Sequence, residues 1–143
     1  MLDVTANAKF VEILRAAGLR PTRQRLALAR LLFFGENQHF TAENLYNRAQ
    51  AADTKVSLAT VYNTLHQFTE SGLLRQVTMD SQRSYFDTNV ADHHHFYFED
   101  TGEIADIPKD QMNDLTALMD PVELPDQMIL SRIEIVVRLR TAQ

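Results

Sequence analysis

The chain has 143 residues, enough for one ordinary domain or two small ones. Apolar residues make up 45% of it, which excludes the composition of a disordered protein. Cysteine is absent, and this excludes disulfides, thiolate zinc sites, iron–sulfur ligation and a cysteine nucleophile. No apolar run approaches the length of a membrane span and no signal-peptide pattern follows Met1, so we expect a cytoplasmic protein with no membrane partner.

Charge is distributed unevenly along the chain. Residues 1–86 carry ten Lys/Arg and seven Asp/Glu, a net charge of +3, whereas residues 87–143 carry four and twelve, a net charge of −8. The two parts account for the overall charge of −5. Such a difference in sign favours contact between the N-terminal part and a polyanion. The alternative is that the charges merely scatter unevenly.

Four helices are predicted in the first half of the chain. AKFVEILRAAGL has apolar residues at helical spacing and ends at Gly18, and TRQRLALARLLFF begins at Thr22. Thr41 is a suitable N-cap for AENLYNRAQAA. Ser57 is a suitable N-cap for LATVYNTLHQFTES, which ends at Gly72. Within this fourth helix, Leu58 is expected to belong to the buried stripe.

The pattern then changes to strands. LLRQVTM and RSYFDT predict a hairpin with its turn at residues 80–82, and HHHFYFE and GEIADI predict a second strand pair. KDQMNDLTALM predicts a short helix, and QMILSRIEIVVRLR a final strand. The expected fold class is α+β, with an N-terminal winged helix-turn-helix DNA-binding domain at 1–86, a hinge at 87–92 and a small α/β dimerisation domain at 93–143. The second domain is short of core, so we expect it to pack against another copy.

The fourth helix is expected to read DNA bases, because in a winged helix-turn-helix this helix enters the major groove. With Val61, Leu65 and Phe68 turned inward, the side chains expected to face outward or to lie at the helix edge are short hydrogen-bonding groups and one aromatic ring. They are Ser57, Thr60, Tyr62, Asn63, Thr64 and Gln67. Asn and Gln can read adenine, and Tyr or Thr can pack on a thymine methyl. Phosphate contacts are expected from Arg20, Arg23, Arg25 and Arg30. An ordinary solvated helix face is the alternative.

Three consecutive histidines, His93, His94 and His95, open the second strand pair. In a strand, alternate side chains share a face, so His93 and His95 point one way and His94 the other. Two imidazoles on one face can act as neighbouring metal ligands, because histidine is the commonest neutral metal ligand near physiological pH. A surface run without a ligand is the alternative.

The motifs GLRPTRQR, HFTAENLYNRA, SLATVYNTLHQFTESGLL and HFYFEDTGEI resemble, in this order, the Fur family of bacterial metal-responsive repressors. The resemblance runs from about Gly18 to the final strand. It implies a homodimer that binds double-stranded DNA at an AT-rich inverted repeat. It also implies that Tyr62 contacts a base and that Arg20 stands where the family places a basic residue in the minor groove. Asn63 departs from the usual arginine after the tyrosine and suggests a different operator.

The same resemblance implies a regulatory metal site made of His39, Asp87, His93 and His95. Without thiolates, three imidazoles and a carboxylate suit Fe(II), Mn(II) or Zn(II) and do not favour Cu(I). A second site of the family is incomplete, because its matching positions are Asp92, His94, Asn113 and Ser131. The structural zinc site built from two Cys-x-x-Cys pairs is absent.

The HHH run, Asn63 and the lack of Cys-x-x-Cys pairs resemble one branch of the family, the iron response regulators. This implies haem binding at His93, His94 and His95, with Phe96, Tyr97 and Phe98 offering apolar contact to a porphyrin. In that branch the protein acts on DNA when iron is scarce and haem releases it. For the aromatic residues, an ordinary place in the core is the alternative.

Other functions remain open on the sequence alone. A divalent-metal-activated repressor, loaded with manganese or iron, needs the same four ligands. A small metalloenzyme using the HHH run lacks an H-E-x-x-H motif, so we expect no enzyme. A haem carrier without DNA binding disagrees with the chemistry of the fourth helix. The homodimer could also assemble into a higher oligomer.

Overall fold

The computed structural model describes residues 4–79, 84–112 and 123–143, with the side chains of residues 4–6 excepted. The chain divides into two compact units, Met1–Val90 and Ala91–Gln143. The predicted turn at residues 80–82 lies outside the described residues. So does the predicted short helix from residue 113 onward, including Asn113. No helix in the described ranges is both long and apolar enough to cross a bilayer.

The described part of the first unit contains four α-helices and three short strands. These are α1 (Val4–Ala16), α2 (Arg23–Phe33), β1 (His39–Phe40), α3 (Ala42–Ala51), α4 (Leu58–Glu70), β2 (Arg75–Thr78) and β3 (Ser84–Asp87). The four helices and the strand pair β2–β3 confirm the elements predicted for this half. Strand β1 was not predicted, because two residues are too few to show an alternating pattern.

Side-chain caps start three of the helices. The Thr22 hydroxyl accepts a hydrogen bond from the Arg25 N–H at 3.2 Å, and the Ser57 hydroxyl accepts one from the Thr60 N–H at 3.0 Å. Thr41 and Asn44 form a reciprocal capping box, each accepting from the other's backbone N–H at 3.1 Å. These contacts confirm the predicted helix starts, since each satisfies an N–H that the helix itself cannot.

Left-handed residues end three of the helices. Gly18, Asp53 and Gly72 have φ values of 79°, 55° and 85° and follow α1, α3 and α4. After Gly72, the Leu73 N–H bonds back to the Phe68 carbonyl at 2.9 Å, as a Schellman motif requires. Gly72 thereby turns the chain directly from α4 towards β2.

The core of the first unit is formed by apolar residues from all four helices and the sheet. The largest fully buried side chains in it are Leu14, Leu28, Leu32, Leu45, Val61, Leu65 and Phe68. Two expectations for α4 are wrong. Thr64 is only 5% exposed, because helical geometry places it next to Phe68 on the buried face, so it does not face outward. Leu58 is 37% exposed, because it lies in the first turn, at the edge of that face.

The three strands of the first unit form an antiparallel sheet in the order β1-β3-β2. Asp87 on the central strand lies directly opposite His39 on one side and Arg75 on the other. Directly opposite residues in antiparallel strands share a face of the sheet. The sheet therefore holds an imidazole, a carboxylate and a guanidinium group in one row.

The second unit contains a separate three-stranded sheet in the order β5-β4-β6, formed by β4 (His95–Phe98), β5 (Glu103–Asp106) and β6 (Val136–Leu139). Strand β4 pairs antiparallel with β5 and parallel with β6. The predicted strand pair is confirmed, but β4 begins at His95, so His93 and His94 precede the strand that was predicted to include them. The final strand is much shorter than predicted, because residues 128–135 form no regular strand.

Replacing Gly72 with alanine should destabilise the first unit by about 1–2 kcal/mol, since an L-residue with a Cβ is disfavoured in the left-handed conformation. The added Cβ would meet nothing within 4 Å, so the loss would come from the backbone alone. The measurement is chemical denaturation followed by helical circular dichroism. Gly72→Asn is the control and should lose less, because asparagine tolerates this conformation better. Equal losses in the two variants would contradict the backbone explanation.

Candidate metal centre and nucleic-acid interface

His39 and Asp87 form a polar pair at the edge of the first sheet. The Nε2 atom of His39 lies 3.0 Å from Oδ2 of Asp87. The other carboxylate oxygen of Asp87, Oδ1, accepts a hydrogen bond from the Asn89 N–H at 2.8 Å. Asp87 is 1% exposed, and a carboxylate so deeply buried requires such partners. Both contacts hold its oxygens in fixed directions.

In the second unit, two imidazoles face one carboxylate. The Nε2 atoms of His93 and His95 lie 3.3 Å and 3.5 Å from the same Oδ1 atom of Asp106. The two rings are 4.5 Å apart between centroids, and both residues are buried. The expectation that His93 and His95 share a side agrees with this geometry.

A backbone contact orients the His93 ring. Its Nδ1 atom lies 2.6 Å from the Ala91 carbonyl oxygen, and a carbonyl can only accept a hydrogen bond. Nδ1 therefore carries the proton, and in the neutral ring Nε2 keeps a lone pair. Metal-binding histidines are commonly oriented by such a contact at the other ring nitrogen.

His94 has a different role from its two neighbours. Its Nδ1 atom accepts a hydrogen bond from the Ile135 N–H at 3.0 Å. Its carbonyl accepts another from the Ile107 N–H at 2.9 Å. His94 therefore links the start of β4 to the segments that precede β6 and follow β5.

Asp106 was missed by sequence reasoning, although a signal for it existed. It lies at the end of β5, directly opposite His95 in the strand register. The register of a hairpin with its turn at residues 100–102 would have placed this carboxylate beside the histidines. The pattern in GEIAD alone is too short to indicate a ligand.

Tyr62, on the outward side of α4, is hydrogen-bonded to the carboxylate of Glu43. The Tyr62 hydroxyl donates a hydrogen bond to Oε1 of Glu43 at 2.6 Å, and the Tyr62 side chain remains 39% exposed. This hydrogen bond, then slight burial and then the negative charge of Glu43, raise the pKa of Tyr62 above its ordinary value. The phenol therefore stays neutral and can still be reached from solvent.

An arginine of α2 supports the same side of α4. The Arg25 guanidinium donates to Oε1 of Gln67 at 3.0 Å and 3.3 Å and to the Arg20 carbonyl at 2.8 Å. This contact fixes Gln67 relative to the segment before α2.

The remaining predicted DNA-contacting residues lie at or near the surface. Arg20, Ser57 and Asn63 are exposed, and Thr60 is half-buried with its hydroxyl 2.9 Å from that of Ser57. Except for Thr64, the predicted side chains are therefore accessible in the first unit.

A profile of the Ferric uptake regulator family matches residues 16–121, more than half of the chain. The peroxide-responsive repressor PerR of Staphylococcus aureus strain Mu50 is 35% identical over 105 residues, covering 73% of this chain and 70% of that protein. The chain belongs to the ferric uptake regulator family. It is therefore a regulator of the metal-responsive class to which this family belongs.

Solved structures of the ferric uptake regulator family share the fold. The ferric uptake regulator of Pseudomonas aeruginosa with manganese superposes with a TM-score of 0.74 at 27% identity, covering 94% of this chain and 98% of that one. A zinc-bound manganese uptake regulator superposes with a TM-score of 0.66 at 28% identity, covering 91% and 98%. These similarities confirm the predicted α+β fold class.

The substitution Glu43→Gln should lower the pKa of Tyr62 towards its ordinary value of about 10, because the charged acceptor of the phenol proton is removed. Since the folded pKa lies above the unfolded one, the contact stabilises the fold below about pH 10 and loses that effect as pH rises through the folded pKa. Ultraviolet difference titration with Tyr62→Phe as the subtraction control measures this. An unchanged Tyr62 titration in Glu43→Gln would contradict the assignment.

Proposed function

We propose that this chain is a metal-responsive transcriptional regulator that binds operator DNA as a homodimer, and that a divalent ion held by His39, Asp87, His93 and His95 controls this binding. The observation that carries the proposal is the convergence of the His93 and His95 Nε2 atoms on one carboxylate oxygen. The ring orientation that Ala91 imposes on His93 leaves a lone pair on the converging nitrogen.

The residues fit a divalent metal ion by their chemistry. Imidazole nitrogens and carboxylate oxygens, with no thiolate in the chain, suit Mn(II), Fe(II) or Zn(II). A structural zinc site of the cysteine type is excluded by composition. Relatives described with manganese and with zinc support the same class of ion. Asp106, which faces both His93 and His95, is a further ligand in this proposal.

One ion would draw ligands from both sides of a short linker. His39 and Asp87 precede residues 88–92, while His93 and His95 follow them. Ligands on both sides restrict the conformations open to that linker, and so bias how each DNA-binding unit is presented. A dimer reads an inverted repeat only when both half-sites are reached together. Metal binding and DNA binding are then linked, and each strengthens the other by the same factor.

The proposed DNA-reading residues are Tyr62, Asn63 and Gln67, with Ser57, Thr60 and Arg20 beside the duplex. Hydrogen-bonding side chains at exposed positions of α4 support this choice. Thr64 is not in this set, because its side chain is buried. Because Asn63 carries no charge, we expect the preferred operator to differ from that of relatives with arginine at this position. The second unit is the proposed dimerisation domain.

Release from DNA by haem is the second candidate function, and the iron response regulator resemblance supplies it. The observation in its favour is the run of three consecutive histidines, and because the chain has no cysteine, a haem response would rest on histidine alone. In this structure His94 accepts from Ile135, and both His93 and His95 face Asp106. Haem ligation by any of the three imidazoles would therefore replace an existing contact.

The two candidates predict opposite results in one titration. Fluorescence anisotropy of an AT-rich inverted-repeat duplex would be followed in chelator, then with Mn(II), then with haem, at fixed salt because phosphate contacts make affinity salt-dependent. We expect binding only with Mn(II), no effect of haem, and at least about tenfold weaker binding in His93→Ala and Asp87→Asn. Binding in chelator that haem abolishes would instead establish the second candidate.

Calorimetric titration of Mn(II) supplies the control for this experiment. His66→Ala removes an exposed histidine outside the proposed ligands and should leave Mn(II) affinity unchanged. His39→Ala, His95→Ala and Asp106→Asn should each lower it by about tenfold or more. Wild-type Mn(II) affinity in all three variants would rule out this ligand set.

Removing the negative charge of Glu43 should strengthen DNA binding. Glu43 engages the Tyr62 hydroxyl and places a carboxylate where the duplex would approach. We expect Glu43→Gln to lower the operator Kd about two- to fivefold, the equivalent of about 0.5–1 kcal/mol for an exposed charge. Glu36→Gln is the control with the same charge change. Equal effects of the two variants would show that overall charge alone is responsible.

A further inference from the structure

A basic cleft opens in the first unit beside α2. Its volume is about 630 Å³, and its lining includes α1, α2 and the loop after α3. Small-molecule sites usually occupy about 300–1,000 Å³, so the cleft is large enough for a ligand. None of its lining residues is a proposed metal ligand or base-reading residue, but two of them, Arg23 and Arg30, are among the arginines from which the sequence predicts DNA phosphate contacts.

Three cationic side chains line this cleft, namely Arg23, Arg30 and Lys55. All three are exposed, and within the described residues none of them forms an ion pair or a side-chain hydrogen bond. Asp53 is the acidic residue in the lining, so the cleft carries excess positive charge. A concave surface lined by charges of one sign concentrates ligands of the opposite sign.

The cleft faces away from the side of α2 that supports α4. At about 100° per residue, positions 23, 26, 27 and 30 share one face of a helix, and position 25 lies on the opposite face. Arg25 uses that opposite face to contact Gln67. The cleft is therefore a different surface from the one that presents Tyr62 and Gln67.

The chemistry of the lining favours a phosphate group attached to an organic body. Guanidinium groups match phosphate oxygens in paired hydrogen bonds, and Arg23 also begins α2, where helix N–H groups favour anions. Leu26 and Ala27 add an apolar wall. Asp53 also lines the cleft, and its carboxylate can accept hydrogen bonds from sugar hydroxyls.

We propose that this cleft binds the phosphate group of an organic phosphate, with Arg23, Arg30 and Lys55 as the anion ligands. The phosphate can come from a free phosphorylated molecule or from a DNA backbone outside the bases read by α4. The cleft lies on the face of α2 opposite Arg25, and Arg25 contacts the proposed base-reading residue Gln67. This position favours a free molecule over the DNA backbone. The proposal is independent of the metal site.

The test uses the full-length protein in chelator, with ADP as the probe. Calorimetry would measure the ADP affinity, and amide NMR shifts at Leu26, Ala27 and Thr54 would locate the binding. We expect Arg30→Gln to weaken ADP binding about tenfold. Arg15→Gln, which removes an equal charge from an exposed position of α1 outside the cleft, should leave it unchanged. Operator affinity of Arg30→Gln is measured in parallel, with the metal that DNA binding requires.

The outcomes separate the two sources of phosphate. ADP binding with shifts at the cleft and unchanged operator affinity in Arg30→Gln would establish a site for a free organic phosphate. The cleft would instead be assigned to the DNA backbone by a different result. ADP would not bind, and Arg30→Gln, but not Arg15→Gln, would weaken operator binding and reduce the salt dependence of that binding. Absence of both effects would overturn the proposal. Because the ADP arm needs neither metal nor DNA, its failure is distinguishable from failure of the metal-dependent regulation.

Discussion

Burial of the Asp87 carboxyl group is the constraint on which the polar chemistry at the edge of the first sheet depends. A carboxylate removed from water is stable only with hydrogen bonds or opposite charges around it. The sheet places His39 and Arg75 directly opposite Asp87 on its two neighbouring strands, and Nε2 of His39 lies 3.0 Å from Oδ2 of Asp87. The Asn89 N–H satisfies one of its oxygens. The short strands are therefore required for the ligand pair, while the four helices supply the core that supports them.

In the second unit, consecutive histidines have different partners. His93 and His95 both face Asp106, whereas His94 accepts a hydrogen bond from the Ile135 N–H, and only His95 of the three belongs to strand β4. Three consecutive histidines thus have two different roles, as candidate ligands and as a structural hydrogen-bond acceptor. A substitution series that treated the HHH run as one unit would mix the loss of ligands with the loss of a structural hydrogen bond.

Local signals predicted local features well. Thr41 and Ser57 were recognisable as caps, and Gly18 and Gly72 as helix ends, because each acts within three or four residues of the chain. The features missed depend on tertiary pairing. Strand β1 exists only because β3 lies beside it, and Asp106 becomes a ligand candidate only through the register of β4 and β5. Thr64 was misplaced because its polarity was given more weight than its position one turn before Phe68.

The anchoring of β1 has a kinetic meaning. Two residues pair with β3, and the preceding segment is held by the Gln38 N–H to the Thr88 hydroxyl at 2.9 Å and by the Thr88 N–H to the Gln38 carbonyl at 3.2 Å. The Gln38 side chain also donates to the Leu31 and Leu32 carbonyls and accepts from Arg48, and Phe40 is buried against Phe86. Despite its two-residue length, β1 therefore opens only when contacts with α2, α3 and the core are broken together. An ion held through His39 would then have a residence time set by the stability of the whole first unit, so that fraying of one sheet edge would not release it.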